Sequence, residues 1–232
     1  MPEWEPQADI AAVDTSVLGL DEAGRGSLIG PLVAGGFCTP SQQIPALGLL
    51  GVRDSKRLSP AERARIFREL PRMGRCFTRI LLPPLVDQWV DQGRLNDLEA
   101  QTFGRIVRQA APDQAFVDAC DPVALRFGTR VQRWSRTTTP VIARHHADRD
   151  LLVVGAASII AKVTRDRWIQ RLGRRLTTDV GSGYPCDGRT LAHVRDVWQS
   201  SGSLPNYVRH SWSTTERLKP RPPAVALETF AP

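Results

Sequence analysis

Two adjacent carboxylates, Asp21 and Glu22, follow a short apolar run and precede a loop rich in glycine. Neighbouring side chains on a regular strand point to opposite faces, so these two converge only if the chain turns there. The glycines that follow permit such a turn. Carboxylates at a buried strand end repel each other and lose hydration, and a bound Mg²⁺ or Mn²⁺ would relieve both costs. The pattern therefore indicates a divalent-metal site; the alternative is one solvated carboxylate and one that caps a helix.

The glycine loop offers backbone N–H groups that a ligand can approach closely at Gly24, Arg25 and Gly26. No Gly-Lys-Ser or Gly-Lys-Thr follows, so the loop is not a P-loop. The spacing of Gly24, Gly26 and Gly30 is one residue too long for a dinucleotide-binding fingerprint. The loop therefore favours a ligand site of another type beside the carboxylates.

Two further aspartates stand where a strand and a helix are expected to meet loops. Asp118 ends an apolar strand pattern, and Asp148 precedes the apolar start of a long helix. Taken singly, each aspartate is more simply explained by solvation or helix capping. Asp121 competes with Asp118, and Asp150 and Asp166 compete with Asp148. Four acids that converge from separate segments would make a two-metal site for phosphodiester chemistry.

The predicted long helix, residues 156–176, is strongly basic. Its cations are Lys162, Arg165, Arg167, Arg171, Arg174 and Arg175. The whole chain has 31 lysines and arginines against 24 acids and a formal net charge of +7. Cations of one sign on one helix, beside an acid cluster, favour contacts with nucleic-acid phosphates; the alternative is a solvated helix face.

Composition sets the broad class. A chain of 232 residues makes one domain, or one domain with a small appendage. With 41% hydrophobic and 24% charged residues, it is typical of soluble globular proteins. No apolar run is long enough to span a membrane, and the N-terminus shows no secretory signal. The four cysteines are far apart in sequence, which argues against structural zinc and favours reduced thiols.

The elements that must position these residues alternate between strands and helices, which indicates an α/β fold. Strands are predicted at residues 17–20, ending at Asp21, at 32–37 and at 115–117. Helices are predicted from Ser59, over 95–110 and over 156–176. We divide the chain into a loose N-terminal segment (1–12), a catalytic domain with a C-terminal helical part (13–217) and a Pro-rich tail (218–232).

Five segments together resemble type 2 ribonuclease H (ribonuclease HII), and its archaeal members in particular. They are residues 21–31, 54–59, 156–167, 181–185 and 209–212. Each motif alone is modest, but all five occur in order across most of the chain. Two departures, Ser27 where a proline is common and Gly155 where a serine is common, leave every carboxylate in place.

The resemblance implies an RNase H-like mixed sheet flanked by helices, with a small helical C-terminal part. It implies endonucleolytic hydrolysis of RNA in RNA–DNA hybrids, or at ribonucleotides embedded in duplex DNA, leaving 3′-hydroxyl and 5′-phosphate ends. Two divalent ions, Mg²⁺ or Mn²⁺, would be held by Asp21, Glu22, Asp118 and Asp148. Asp148 is preferred because it lies seven residues before Gly155, which is the family's position for the fourth acid.

The resemblance also implies how substrate is bound. The 2′-hydroxyl, which alone distinguishes RNA from DNA at that position, would be read by the backbone of Gly24, Arg25 and Gly26. Tyr184 would pack at the RNA–DNA junction. Lys56 and Arg209 would contact phosphates, and Lys162 belongs to the basic helix described above.

We expect a cytoplasmic monomer that binds RNA–DNA hybrids and ribonucleotide-containing duplex DNA, and no membrane. Two rival functions are another nuclease of the same fold, such as a junction resolvase, and a non-catalytic nucleic-acid-binding module. A further hypothesis concerns Leu227 and Phe230, whose spacing resembles the sliding-clamp-binding peptide of some archaeal relatives. Ala224 and Ala231 replace that peptide's glutamine and second aromatic residue, and the alternative is a frayed or back-packed tail.

Overall fold

The structure of the protein is a computed structural model that describes residues 14–218. The predicted loose segment 1–12 and the Pro-rich tail beyond Leu218, with its clamp-binding hypothesis, lie outside the described residues. The strands are β1 (Ser16–Ala23), β2 (Leu32–Pro40), β3 (Arg75–Leu81), β4 (Gln114–Asp118) and β5 (Val141–Arg144). The helices are α1 (Ile44–Leu50), α2 (Pro60–Met73), α3 (Pro83–Asp91), α4 (Leu95–Ala110), α5 (Ala124–Ser135), α6 (Ala147–Asp150), α7 (Leu152–Leu176), α8 (Gly188–Ser201) and α9 (Ser213–Leu218).

The five strands form one mixed sheet in the order β3-β2-β1-β4-β5. β2 is antiparallel to β1 and β3, whereas β4 is parallel to β1 and β5. The register pairs Leu20 of β1 with Val117 of β4, so the residues that follow, Asp21 and Asp118, lie side by side at the same sheet edge. The predicted mixed sheet flanked by helices is confirmed.

Helix α7 lies against one face of the sheet, and two glycines make this close approach possible. A Cβ atom on Gly19 of β1 would lie 2.2 Å from the carbonyl oxygen of Val153. A Cβ atom on Gly35 of β2 would lie 2.4 Å from the carbonyl oxygen of Ala157. Any side chain at either position would therefore force α7 away from the strands.

Alternation along β1 separates two cores. Val17 points to the α7 side and packs with Phe116 and Ile160. Leu18 and Leu20 point to the other side, where α4 and α5 supply an apolar layer. A third cluster joins the glycine loop and the end of α7 to the C-terminal helices through Leu28, Ile29, Ile169, Val194 and Val208. Through this third cluster, the small helical part at the C-terminus packs against the rest of the chain.

Most predicted elements are confirmed. α2 begins with a capping box: the Ser59 hydroxyl accepts a hydrogen bond from the N–H of Glu62, and the Glu62 carboxylate accepts one from the N–H of Ser59. α4 has the predicted bounds. β1 does not end at Asp21, because Glu22 and Ala23 still pair with β2. α7 begins four residues earlier than predicted, at Leu152. Within residues 14–218, no helix combines the length and apolar character that a membrane span requires.

We predict that Gly35→Ala destabilises the fold severely. The added methyl group would overlap the Ala157 carbonyl oxygen, so α7 must shift, and we expect a loss of about 3 kcal/mol or more in the free energy of unfolding. Gly188→Ala is the control, because a Cβ there meets open space at the start of α8. Urea denaturation should show the control within about 0.5 kcal/mol of wild type. Equal effects of the two substitutions would contradict this packing constraint.

Candidate active site

Three aspartates from separate elements meet at the edge of the sheet. One carboxylate oxygen each from Asp21 in β1, Asp118 in β4 and Asp148 in α6 lie within 4.8 Å of one another. Asp21 and Asp148 are buried, and Asp118 is partly buried. Among the described residues, no other group of three histidine, cysteine or acidic side chains is as compact. The structure therefore brings together three of the four predicted metal ligands.

Asp121 and Asp150, two of the competing aspartates, lie outside the compact group. The buried Asp121 carboxylate accepts hydrogen bonds from Arg126, Asn96 and the N–H of Val123, and the bonds from Arg126 lower its pKa to about 2. Asp150 is exposed. Neither the Asp121 nor the Asp150 carboxylate belongs to the compact group of Asp21, Asp118 and Asp148.

Asp166, the other competitor, also lies outside the compact group. One of its carboxylate oxygens is 3.7 Å from Arg63 Nη2. Its side chain is 43% exposed, whereas that of Asp148 is 2% exposed. The choice of Asp148 over Asp150 and Asp166 thus agrees with the geometry.

Glu22 lies on the other face of β1 from Asp21, because the strand continues regularly through both residues. The expectation that a turn makes the two carboxylates converge was wrong. Burial, followed by the negative charges of Asp21 and Glu99, holds the pKa of Glu22 well above its usual range. Glu22 is thus close enough to interact electrostatically with Asp21 and Asp118, although it is not part of the compact group.

Electrostatics at the site favour a cation. Burial raises the pKa of Asp21 to about 7, against the opposing effect of Lys162. Burial and the charge of Asp148 raise the pKa of Asp118. Within the described residues, Glu22 Oε2 and Asp148 Oδ1 are buried and lack a hydrogen-bond partner. Buried oxygen atoms without partners, among carboxylates that repel one another, fit a divalent metal ion.

Two lysines and two serines surround the acids. Lys162 Nζ donates to Ser158 Oγ at 3.0 Å, and the Ser158 hydroxyl also contacts Asp21 and, at 2.8 Å, Ser55 Oγ. Lys56 Nζ lies 3.5 Å from Asp148 Oδ2 on a side chain that is 59% exposed. Both predicted lysines therefore face the acid site. Neither serine was among the residues predicted from sequence, although Ser55 lies in the 54–59 motif and Ser158 in the 156–167 motif.

The predicted substrate loop is held by a buried arginine. Arg209 is fully buried and donates to the carbonyl oxygens of Gly24 (2.6 Å), Arg25 (2.7 Å) and Gly30 (3.3 Å). Its guanidinium also stacks on Trp212, 4.8 Å from the ring centroid. Because these contacts use its Nε and both Nη atoms, the structure gives Arg209 a positioning role. Because the side chain is fully buried, the phosphate contact implied by the family resemblance would require Arg209 to become exposed first.

Tyr184 closes the other side of the loop. Its Oη accepts a hydrogen bond from the N–H of Gly24 at 3.1 Å, and its ring lies 4.1 Å from the guanidinium carbon of Arg165. Gly24 has a φ of +86°, a conformation that glycine adopts readily. Gly26 is exposed, and a Cβ there would meet nothing within 4 Å, so its backbone is open to a ligand.

The Arg25 side chain points away from the acids to α4. Its Nε donates to both carboxylate oxygens of Glu99 at 3.1 Å, and its Nη2 donates to Asn96 Oδ1 at 2.6 Å. Glu99 is buried, so this ion pair fixes the loop to the helix. The Arg25 side chain is therefore occupied by α4, and only its backbone is placed for the predicted contact with the 2′-hydroxyl.

The six cations of the basic helix have different surroundings, so only some of them are exposed for the predicted phosphate contacts. Lys162 faces the acids, and the buried Arg165 donates to the carbonyl oxygen of Ser182. Arg167 lies over the Phe67 ring. Arg171, Arg174 and Arg175 are exposed toward the end of α7. Burial removes Arg165 from any direct contact with nucleic acid.

Comparison with known proteins identifies the family. The Ribonuclease HII family model matches residues 18–215. The chain belongs to the ribonuclease HII family. A ribonuclease HII from Cenarchaeum symbiosum is 44% identical over 197 residues, which cover 84% of this chain and 94% of that protein. Membership makes the chain a ribonuclease H enzyme, as predicted.

Solved structures of ribonuclease HII agree with this assignment. The ribonuclease H2 of Pyrococcus horikoshii OT3 is 36% identical, with a TM-score of 0.81 over 88% of this chain and 97% of that one. The Archaeoglobus fulgidus ribonuclease HII, solved in a complex with PCNA, is 34% identical, with a TM-score of 0.80 over 89% of this chain and 98% of that one. The fold prediction is confirmed by both.

We predict that Asp21→Asn stabilises the metal-free protein at neutral pH. The pKa of Asp21 rises from 3.8 to about 7 on folding, so the folded state retains a proton between these values that the unfolded chain releases. Stability from this group is therefore lost as pH rises through that window. In chelator at about pH 8, Asp21→Asn should exceed wild type by on the order of 1–3 kcal/mol, and the difference should vanish near pH 4.

Added Mg²⁺ provides the second half of this measurement. Metal binding to the folded state should raise the melting temperature of wild type, and much less that of Asp21→Asn. Asp150→Asn is the control, because Asp150 is exposed in the same site region but is outside the compact group. An Asp21→Asn protein that is less stable than wild type in chelator at pH 8 would contradict the electrostatic account.

Proposed function

We propose that this ribonuclease H cuts the RNA strand of RNA–DNA hybrids and also cuts at single ribonucleotides embedded in duplex DNA, with two divalent metal ions. The observation that carries the proposal is the compact group of Asp21, Asp118 and Asp148 beside a braced glycine loop with an open backbone at Gly26. An acid site alone serves any nuclease, but the loop adds a means to recognise the sugar.

Asp21, Asp118 and Asp148 would hold the ions, with Glu22 at the border of the site. When bound, such ions stabilise negative charge on the phosphate and lower the pKa of an attacking water. The chain's own contribution is to fix the carboxylates: the N–H of Ala147 donates to Asp118 Oδ1 at 2.9 Å, and Ser158 contacts Asp21. Mg²⁺ and Mn²⁺ are both compatible with these oxygen ligands.

Recognition of the 2′-hydroxyl is assigned to the backbone of Gly24, Arg25 and Gly26. Arg209 and Tyr184 hold two of these peptide groups, so the loop is rigid before substrate binds. A loop fixed in this way favours a sugar with a 2′-hydroxyl over deoxyribose, because deoxyribose would leave the open peptide groups at Gly26 without a partner. The Tyr184 ring lies beside the loop, where it would pack against the nucleotide next to the cut.

The lysines near the acids would bind substrate phosphates. Lys56 is mostly exposed and close to Asp148, so it can turn to an incoming phosphate once a metal compensates that carboxylate. Lys162 is held by Ser158 and lowers the pKa of Asp21, so it also serves the acid site. The earlier predictions of a cytoplasmic location and of a monomer stay predictions.

A cleavage assay on three duplexes tests the function. We expect wild type with Mg²⁺ or Mn²⁺ to cut an RNA–DNA hybrid and a DNA duplex with one ribonucleotide, and to leave an all-DNA duplex intact. The products should have 3′-hydroxyl and 5′-phosphate ends. Asp148→Asn should lower the rate by a factor of about 10² or more, because a buried ligand is lost.

The matched control is Asp150→Asn, two residues away in the same short helix. Asp150 is exposed and outside the acid group, so its variant should stay within a few-fold of wild type. Equal cutting of the all-DNA duplex would favour another nuclease of this fold. Binding without cleavage under every metal condition would favour a non-catalytic binding module.

We also propose that residues 220–232 bind a sliding clamp. The support is the pair Leu227 and Phe230, three residues apart, together with the PCNA complex of the A. fulgidus relative. Ala224 and Ala231 stand at two anchor positions, and loss of anchors weakens small interfaces strongly. We therefore expect weak binding.

Titration of a synthetic peptide of residues 220–232 against the clamp of the same organism tests this proposal. We expect saturable binding that is lost in a peptide with Leu227 and Phe230 replaced by alanine. Restoration of Gln at position 224 should strengthen it. No saturation at high micromolar peptide would contradict the proposal and leave the catalytic one unchanged.

A further inference from the structure

An open cavity of about 630 Å³ lies between the start of α4, the start of α5 and the segment that leads into α9. Its lining includes Arg94, Asn96, Asp121, Arg126, Arg130 and Trp212. We call this cavity the arginine pocket. It is separate from the compact acid group, and neither the acids nor the lysines of the candidate active site line it.

Cations outnumber acids in the arginine pocket. Arg94, Arg126 and Arg130 line it with side chains that are 49%, 51% and 38% exposed, against two acids, Asp97 and Asp121. A second cavity of about 410 Å³ shares Arg94, Asp97 and Arg130 with it, and Arg133 and Arg136 add to its lining. The two cavities together form a positively charged surface at the outer side of α5.

The buried Asp121 pre-orients the arginines. Its carboxylate is 1% exposed and accepts hydrogen bonds from Nε and Nη2 of Arg126, while Arg130 Nη1 lies 3.6 Å away. Arg130 Nη1 is also 3.4 Å from Asp97. Within the described residues these bonds use one edge of the Arg126 guanidinium, so its Nη1 donors remain for another anion. A guanidinium held in this way loses little conformational entropy when it binds a phosphate.

The arginine pocket is connected to the glycine loop through one amide. Asn96 Nδ2 donates to Asp121 Oδ2 at 3.1 Å, and Asn96 Oδ1 accepts from Arg25 Nη2 at 2.6 Å. Arg25 belongs to the loop that the proposed function places against the ribonucleotide. The side chains of Arg25 and Asn96 thus join the loop to the ion pair of Asp121 and Arg126 in the pocket.

We propose that the arginine pocket binds phosphate groups of the nucleic-acid substrate beyond the cleavage site. Arg126 and Arg130 contact the phosphates, and Trp212 provides an apolar wall for the adjoining nucleotide. The proposal rests on the proposed function, because it takes the glycine loop as the place where the substrate lies. It extends the binding surface from the acid site across α4 to α5.

The test measures binding by fluorescence anisotropy, in a background of Asp148→Asn so that substrate is not cut. Two duplexes are compared: a short one that ends near the ribonucleotide and one extended on both sides. Arg126→Gln/Arg130→Gln should weaken binding of the extended duplex by a factor of roughly 10 or more and reduce the log–log salt slope by about 1.8. Binding of the short duplex should remain within about twofold.

Arg68→Gln/Arg72→Gln is the charge-matched control, since it removes two exposed cations from α2, away from the pocket. It should leave both duplexes within about twofold of the background. A control effect as large as that of the pocket variant, or an unchanged salt slope in the pocket variant, would overturn the proposal.

A second pair of variants avoids removing the partners of Asp121. Ser213 is exposed and lines the pocket, so Ser213→Glu places a carboxylate there without breaking the Arg126 ion pair. We expect Ser213→Glu to weaken the extended duplex by a similar factor and Ser213→Ala to have no effect. Unchanged binding in Ser213→Glu would also overturn the proposal. A wild type that fails to cut any ribonucleotide would refute the proposed function separately, because these measurements do not depend on cleavage.

Discussion

The contact of α7 with bare strand backbone at Gly19 and Gly35 is the constraint on which the site depends. At both positions a Cβ atom would lie within 2.4 Å of a helix carbonyl oxygen, so there is no room for a side chain between helix and sheet. Ser158 and Lys162 lie on the next turns of the same helix and reach Asp21 because of it. The packing of α7 on these two glycines thus sets the distance between helix and sheet. It also sets the positions of Ser158 and Lys162 next to Asp21.

Charge repulsion among the acids has a cost that the rest of the site partly offsets. Burial raises the pKa of Asp21 and Asp118, which shows that their ionised forms are disfavoured without a metal ion. Lys162 and Lys56 reduce this cost, but Asp148 Oδ1 still lacks a partner in the described part of the chain. A bound cation would relieve both the repulsion between the carboxylates and the missing partner of Asp148 Oδ1. The metal-free fold is therefore less stable at the place where the metal ion binds.

The sequence predicted the positions of the acids well, because strand ends and helix starts are visible in local patterns. Asp118 was identified in this way, whereas Asp148 was chosen over Asp150 and Asp166 on the family resemblance. The structure brings both to Asp21. The turn after Asp21 that the glycines permit does not occur, because hydrogen bonding to β2 keeps β1 regular through Glu22 and Ala23. No local pattern shows whether a neighbouring strand continues to pair, so this error follows from tertiary structure.

The arginines show the same limit more strongly. From sequence, Arg165 and Arg209 look like cations for phosphate, yet each is buried and donates to backbone carbonyl oxygens, Ser182 for one and Gly24 for the other. Such carbonyl groups become available only when distant segments meet, and a residue count cannot reveal them. A net charge of +7 therefore overstates the cations free to meet nucleic acid. Those that remain are exposed arginines such as Arg126, whose direction is set by buried acids.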